Sequence, residues 1–274
     1  MAVGKDIYLD SRLIIRRLEE LFPPSDMHPS LSSKETVGLA ALLDKFTTDA
    51  SVFKRAVQMM PPSSPSLKDK AFRKDRAGFF GGSWTVEDAQ KNYAIGTVHV
   101  RQAFEIAESL FADGREWVGC TERPSLADLE GVWSFDWIIS DLEPPAEHFS
   151  ESIYPKVYSW RNRFKAALWE AQARAPKPVR LKGDAAVRVI LAAEFSDKNP
   201  VIDANDPLKL QRGARVQLFP TDGGGHTHKD EGHLVKLDKN EAAIAVKAKT
   251  GEEVHIHSPR WEFLIREVKA TGKL

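Results

Sequence analysis

One change of hydrophobic spacing, near residues 175–182, limits what this chain can fold into. Before it, apolar residues recur every three to four positions over stretches too long for strands. After it, short apolar or alternating runs are separated by turn residues, a β texture. Pro176, Lys177 and Pro178 stand between the two, where a helix cannot continue. The expectation is a mainly α chain with a small β-rich, barrel-like C-terminal module over residues 183–274.

The helical part divides at its prolines. Residues 5–9 read as a short strand, and residues 10–22 as an amphipathic helix with Ile14, Leu18 and Leu21 on one side and Arg16, Arg17 and Glu20 on the other. Pro23-Pro24 stops it. Ser32 or Ser33 caps a second helix running through Val37, Ala40, Ala41 and Leu43 towards Met60. The proline-rich stretch from Pro61 to Pro65 breaks that helix into a loop. A third helical pattern runs over residues 85–112 and ends at Asp113-Gly114. The next begins at Ser125, with Asp128 three residues on, the spacing that lets the carboxylate fold back onto the cap's own N–H while the hydroxyl accepts from the first turn. Its stripe Leu129, Val132, Trp133 and Trp137 places both tryptophans in the core. Residues 156–174 form a last long helix carrying Val157, Trp160, Phe164 and Leu168.

Beyond the boundary, Asp184 caps a short helix over 185–195, and strands follow at 215–219, 232–237, 242–247, 253–257 and 261–268. His226, His228, His233, His255 and His257 fall in this module. His255 and His257 alternate on one strand and so project on one face, but a metal site needs three or four converging ligands, and no Cys or His-Glu-x-x-His spacing supplies them. The reading is polar-face and loop histidines, with no metal. Gly223 to Gly225 read as a turn rather than a phosphate cradle, because no Lys-Ser/Thr follows. Cys120, the single cysteine of 274 residues, excludes an internal disulfide and reads as a filler of apolar space. Lys+Arg and Asp+Glu are equal at 39 each, so no global field favours nucleic acid or anionic lipid. No stretch approaches the roughly 18 apolar residues of a membrane span, and the start has no signal-peptide pattern. The expected location is cytoplasmic.

Two segments together resemble the glutathione transferase superfamily. GKDIYLDSRLIIRRLEELFP resembles the last strand and helix of its thioredoxin-like domain, with Asp10-Ser11 at the helix N-terminus. REWVGCTERPSLADLEGVWSFDWI, followed by YPKVYSWRNRF, resembles two consecutive helices of its all-helical domain, with Ser125 and Asp128 as the structural cap. The C-terminal module resembles an extension found in some fungal members. The resemblance divides the chain into a thioredoxin-like remnant over residues 1–22, a helical domain over 32–175 and the β module over 183–274.

What the resemblance implies is glutathione as co-substrate, its γ-glutamyl end held by Asp10 and Ser11, and a small apolar electrophile held near Phe79, Phe80 and Trp84, on the loop after the second helix. It also implies a homodimer. The family's thiol-activating Ser, Tyr or Cys and its cis-proline lie upstream of the strand seen here at Lys5, so no catalytic residue is assigned. The expectation is a glutathione transferase-like protein that does not conjugate glutathione unless such a segment precedes this one. The alternative is a non-catalytic binding or scaffold protein that uses the helical domain and the β module.

Overall fold

The computed structural model describes residues 1–26, 28–49, 52–221 and 228–268. In chain order its elements are β1 (Ala2–Val3), β2 (Asp6–Tyr8), α1 (Ser11–Leu21), α2 (Val37–Asp44), a π-helical turn (Lys45–Asp49), α3 (Val52–Val57), α4 (Pro65–Lys68), α5 (Lys70–Phe80), α6 (Val86–Ser109), α7 (Leu126–Asp141), α8 (Ala146–Phe149), α9 (Pro155–Arg174), α10 (Gly183–Ala192), β3 (Arg215–Pro220), β4 (Asp230–Leu237), β5 (Glu241–Lys247), β6 (Glu253–Pro259) and β7 (Phe263–Glu267). The chain forms two compact units. One comprises Met1–Pro23, Gly78–Gly81 and Pro178–Leu274, and the other Pro24–Ala77 and Gly82–Lys177.

The second unit is all-helical. α7 packs against α2 and α9, and α6 against α3 and α9. Phe104 of α6 sits at the centre, its ring 5.0–5.1 Å from those of Phe135, Phe149 and Tyr154. Asp128 fastens this core. Fully buried, its Oδ2 accepts from the Ser125 N–H at 2.9 Å and the Ser125 hydroxyl at 2.8 Å, and its Oδ1 from Val118 N and Trp160 Nε1, each at 2.9 Å. The carboxylate folds back as the spacing requires and completes a capping box with the Ser125 side chain, whose hydroxyl also donates to it. α9 approaches α7 so closely that a Cβ on Gly131 would lie 2.7 Å from Trp160 Cη2, so a side chain at 131 would collide with the indole. The Glu108 carboxylate accepts from the N–H groups of Lys156 and Val157, a negative charge at the N-terminus of α9.

Several helical expectations change. The second helix is three pieces, because the backbone loosens into a π turn where the Thr47 hydroxyl bonds both Leu43 O and Glu130 O at 2.9 Å. It starts after Thr36, and the Ser33 hydroxyl accepts from Thr36 N before the helix instead of capping it. The stretch leading to Phe80 is helix, not loop. Trp133 and Trp137 are only half-buried, since the centre of the α7 stripe falls on Val132, Phe135 and Ile138. Asp184 lies inside the first turn of α10, after an N-cap at Lys182.

The first unit is built on one seven-stranded sheet ordered β1-β2-β6-β5-β4-β3-β7. All pairs are antiparallel except β2–β6, which is parallel, with Asp6 opposite His255 and Tyr8 opposite His257. The sheet is therefore mixed and, among the described residues, open between β1 and β7, so the barrel-like closure expected is not seen. One face holds an apolar cluster of Val216, Leu218, Leu234, Leu237, Ala242, Ile244 and Ile265. The strand and helix at the chain start belong to this sheet: Leu9 N donates to His257 O at 2.8 Å, and α1 packs on β6 with Leu13 buried. Leu18 and Leu21 stay exposed, unlike the apolar side the spacing describes.

Candidate functional site

The period of two along β2, β5 and β6 decides what shares the polar face of the sheet. Asp6 and Tyr8 lie on one side of β2, His255 and His257 on the same side of β6, and Glu241, Ala243 and Ala245 on that side of β5. Alanines at 243 and 245, paired with His257 and His255, leave room for the two rings. Asp6 and His257 are fully buried and His255 nearly so.

His257 stands between two carboxylates. Its Nε2 lies 3.0 Å from Asp6 Oδ1 and its Nδ1 2.5 Å from Glu241 Oε1. Lys236 Nζ donates to the other oxygen of Glu241 at 3.1 Å and to Asp197 Oδ2 at 2.9 Å. Asp6 Oδ2 accepts from the backbone N–H groups of Ser196 at 2.5 Å and Asp197 at 2.9 Å. His255 Nδ1 faces Asp6 Oδ1 at 3.3 Å but, among the described residues, makes no hydrogen bond. Stacking fixes both ring planes: Phe195 lies on His255 with centroids 4.0 Å apart, and Tyr8 on His257 at 4.6 Å.

The charges support one another. Burial works against ionised Asp6, yet the imidazoles of His255 and His257 and the Asp197 N–H outweigh it and hold the carboxyl well below the usual range. Burial likewise opposes charge on Glu241, and His257 and Lys236 overcome it, so its pKa is lowered. His257 is desolvated too, but the two carboxylates raise its pKa. Burial pushes the Tyr8 hydroxyl pKa up, and the hydroxyl lies 3.5 Å from Ser196 Oγ. Such a cluster can hold a cation or a proton; it presents no exposed nucleophile.

Two residues beyond Tyr8 lies the corner expected to hold glutathione. Asp10 adopts φ 62° as N-cap of α1, and its Oδ1 accepts from Arg12 N at 2.9 Å. Ser11 opens the helix and is exposed. The carboxylate of Asp10 thus fixes the turn at the start of α1.

The other expected site residues lie elsewhere. Phe79 and Phe80 end α5 and group with the first unit, whereas Trp84 follows in the loop and groups with the second, where its ring packs edge-on to Phe72 at 6.3 Å. Ser125 and Asp128 are buried in the helical core, as a structural cap requires. Cys120 is exposed at φ 54°, not a filler of apolar space. His255 and His257 are buried and not exposed to solvent as a polar-face reading implies, with Phe195 stacked on His255 and Tyr8 on His257. His233 is exposed, its Nδ1 3.1 Å from Gly213 O, and His228 lies beside the Phe79 ring at 5.5 Å. His226 and Gly223 to Gly225 lie outside the described residues. Asp6, Glu241 and Lys236 carry no signal in the sequence beyond alternation, since Asp6 and His257 are 251 residues apart.

Comparison with known proteins adds two findings. A family model described as a domain of unknown function (DUF7962) matches residues 55–173, and no curated protein matches. Among solved structures, a GST-like protein from Pseudomonas syringae superposes with a TM-score of 0.63 at 21% identity, over 97% of this chain and 80% of that one. No helix among the described residues is long and apolar enough to cross a membrane. The chain has the fold of a glutathione-transferase-like protein.

Proposed function

We propose that this chain is a glutathione transferase-like binding protein that takes the γ-glutamyl carboxylate of glutathione at Asp10 and Ser11 and does not itself activate the thiol. The observation that supports this reading is the α1 corner: Asp10, at φ 62°, caps α1 and is followed by an exposed Ser11 at the helix N-terminus, within a fold shared with a GST-like protein. A helix N-terminus contributes about 0.3–1 kcal/mol to a bound carboxylate, and direct hydrogen bonds about 1–3 kcal/mol more, which together support a millimolar-range association. Tyr8, the nearest phenol, is buried under His257 with its pKa raised, so it is badly placed to stabilise a thiolate. The Phe79 and Phe80 end of α5 is the corresponding proposal for an apolar co-ligand. The setting proposed is cytoplasmic, as a homodimer.

Calorimetric titration with glutathione tests the reading. Wild type saturates in the millimolar range, Ser11→Ala binds several-fold more weakly, and no conjugate forms with a generic electrophile. Equal binding by Ser11→Ala and Asp10→Ala variants would sink the assignment, and a conjugation rate abolished by either would show that the site is catalytic.

A further inference from the structure

We propose that Asp6, His255 and His257 form a binding site for a divalent transition-metal ion of the zinc class, with Glu241 and Glu253 supporting the two imidazoles from behind. The inference is independent of the glutathione reading and rests on three features of the buried cluster.

The first is geometry. Asp6, His255 and His257 each offer one ligand atom, and the three atoms lie within 4.8 Å of one another. Asp6 Oδ1 is 3.0 Å from one nitrogen and 3.3 Å from the other. Nitrogen and oxygen ligands about 2.0–2.2 Å from a tetrahedral zinc stand about 3.3 Å apart, so the ion fits with shifts of a few tenths of an ångström. The opposite ring nitrogens both face carboxylates: His257 Nδ1 is 2.5 Å from Glu241 Oε1 and His255 Nε2 3.6 Å from Glu253 Oε1. A carboxylate behind each ligating imidazole sets its tautomer and raises its basicity, the usual arrangement around protein-bound zinc.

The second is an unpaired atom. His255 is 7% exposed, and its Nδ1, 3.3 Å from Asp6 Oδ1, makes no hydrogen bond among the described residues. A buried polar atom left so is destabilising, and a metal ion between it and Asp6 removes that penalty. The third is charge. Three carboxylates, Asp6, Glu241 and Asp197, gather around the two imidazoles, and Lys236 bonds the last two of them, a donor set suited to a cation.

Two histidines and one carboxylate leave a coordination position for water, as in catalytic rather than closed zinc sites. The test is zinc itself. The full chain, stripped with a chelator and titrated calorimetrically with Zn2+, is expected to take up one ion and to melt at a higher temperature when loaded. His255→Ala is expected to lose at least about 100-fold in affinity, and Glu241→Gln about 10–100-fold, while His233→Ala, at an exposed histidine outside the cluster, titrates as wild type. Zinc X-ray absorption on the wild type should show two imidazoles and no sulfur, a readout that holds even if a variant fails to fold. A folded chain that takes up no stoichiometric zinc, a first shell with another histidine count, or a His255→Ala chain binding as tightly as wild type would each overturn the site.

Discussion

Removing the Asp128 carboxylate should cost the helical unit several times what removing the Ser125 hydroxyl costs. In Ser125→Ala one of four donors to the carboxylate disappears and the other three remain, so the loss is about 1 kcal/mol, as for an ordinary N-cap deletion. In Asp128→Ala the N–H groups of Ser125 and Val118 and the Trp160 indole stay buried without their acceptor, each worth about 1–3 kcal/mol. Part of that sum is offset because a desolvated carboxylate also vanishes, and a net loss of about 3–5 kcal/mol is the usual result of breaking a buried charged network. Asp128→Asn should fall between, since one oxygen still accepts while its amide meets the Ser125 N–H as a second donor. Urea unfolding followed by far-ultraviolet circular dichroism measures all three without relying on the Trp160 signal. Equal midpoints for Asp128→Ala and Ser125→Ala would refute the claim that the carboxylate, and not the hydroxyl, carries this junction.

Two further outcomes follow from the first unit. Asp206 is buried and bonded to Arg260 at 2.5 Å; burial opposes its charge, but Arg260 and the Leu208 N–H outweigh it and lower its pKa. A lowered folded pKa contributes stability at neutral pH that disappears as pH falls below about 4, so the stability difference between wild type and Asp206→Asn should shrink between pH 7 and pH 3; a constant difference contradicts the pairing. Residues 183–274 expressed alone lack β2, which leaves the β6 edge open and His255 and His257 without Asp6. The expected result is a loosely packed fragment whose near-ultraviolet dichroism recovers on adding a peptide of residues 1–23, and a fragment fully ordered by itself would show that β2 is dispensable.

Local chemistry wrote most of the elements into the sequence. The five C-terminal strands follow from alternation and turn residues, and α1, α6, α7 and α9 from apolar spacing bounded by proline, glycine and capping pairs. The Ser125–Asp128 box is readable because both partners lie within one helical turn. The interruption at Lys45–Asp49 was not readable, since it depends on Thr47 reaching Glu130 on another helix. The candidate site was still less accessible. Alternation shows that His255 and His257 share a face, but not whether that face meets water or is buried. Only the parallel pairing of β2 with β6 brings Asp6 against them, and that pairing closes almost the whole length of the chain. Loop closure on that scale has no local signature, because it is decided by which sheet edge is open and which burials it completes. Thus the sequence by itself determined the C-terminal strands and helices α1, α6, α7 and α9, and the tertiary structure alone divided the second helix and turned two histidines that read as surface residues into the centre of a buried charged site.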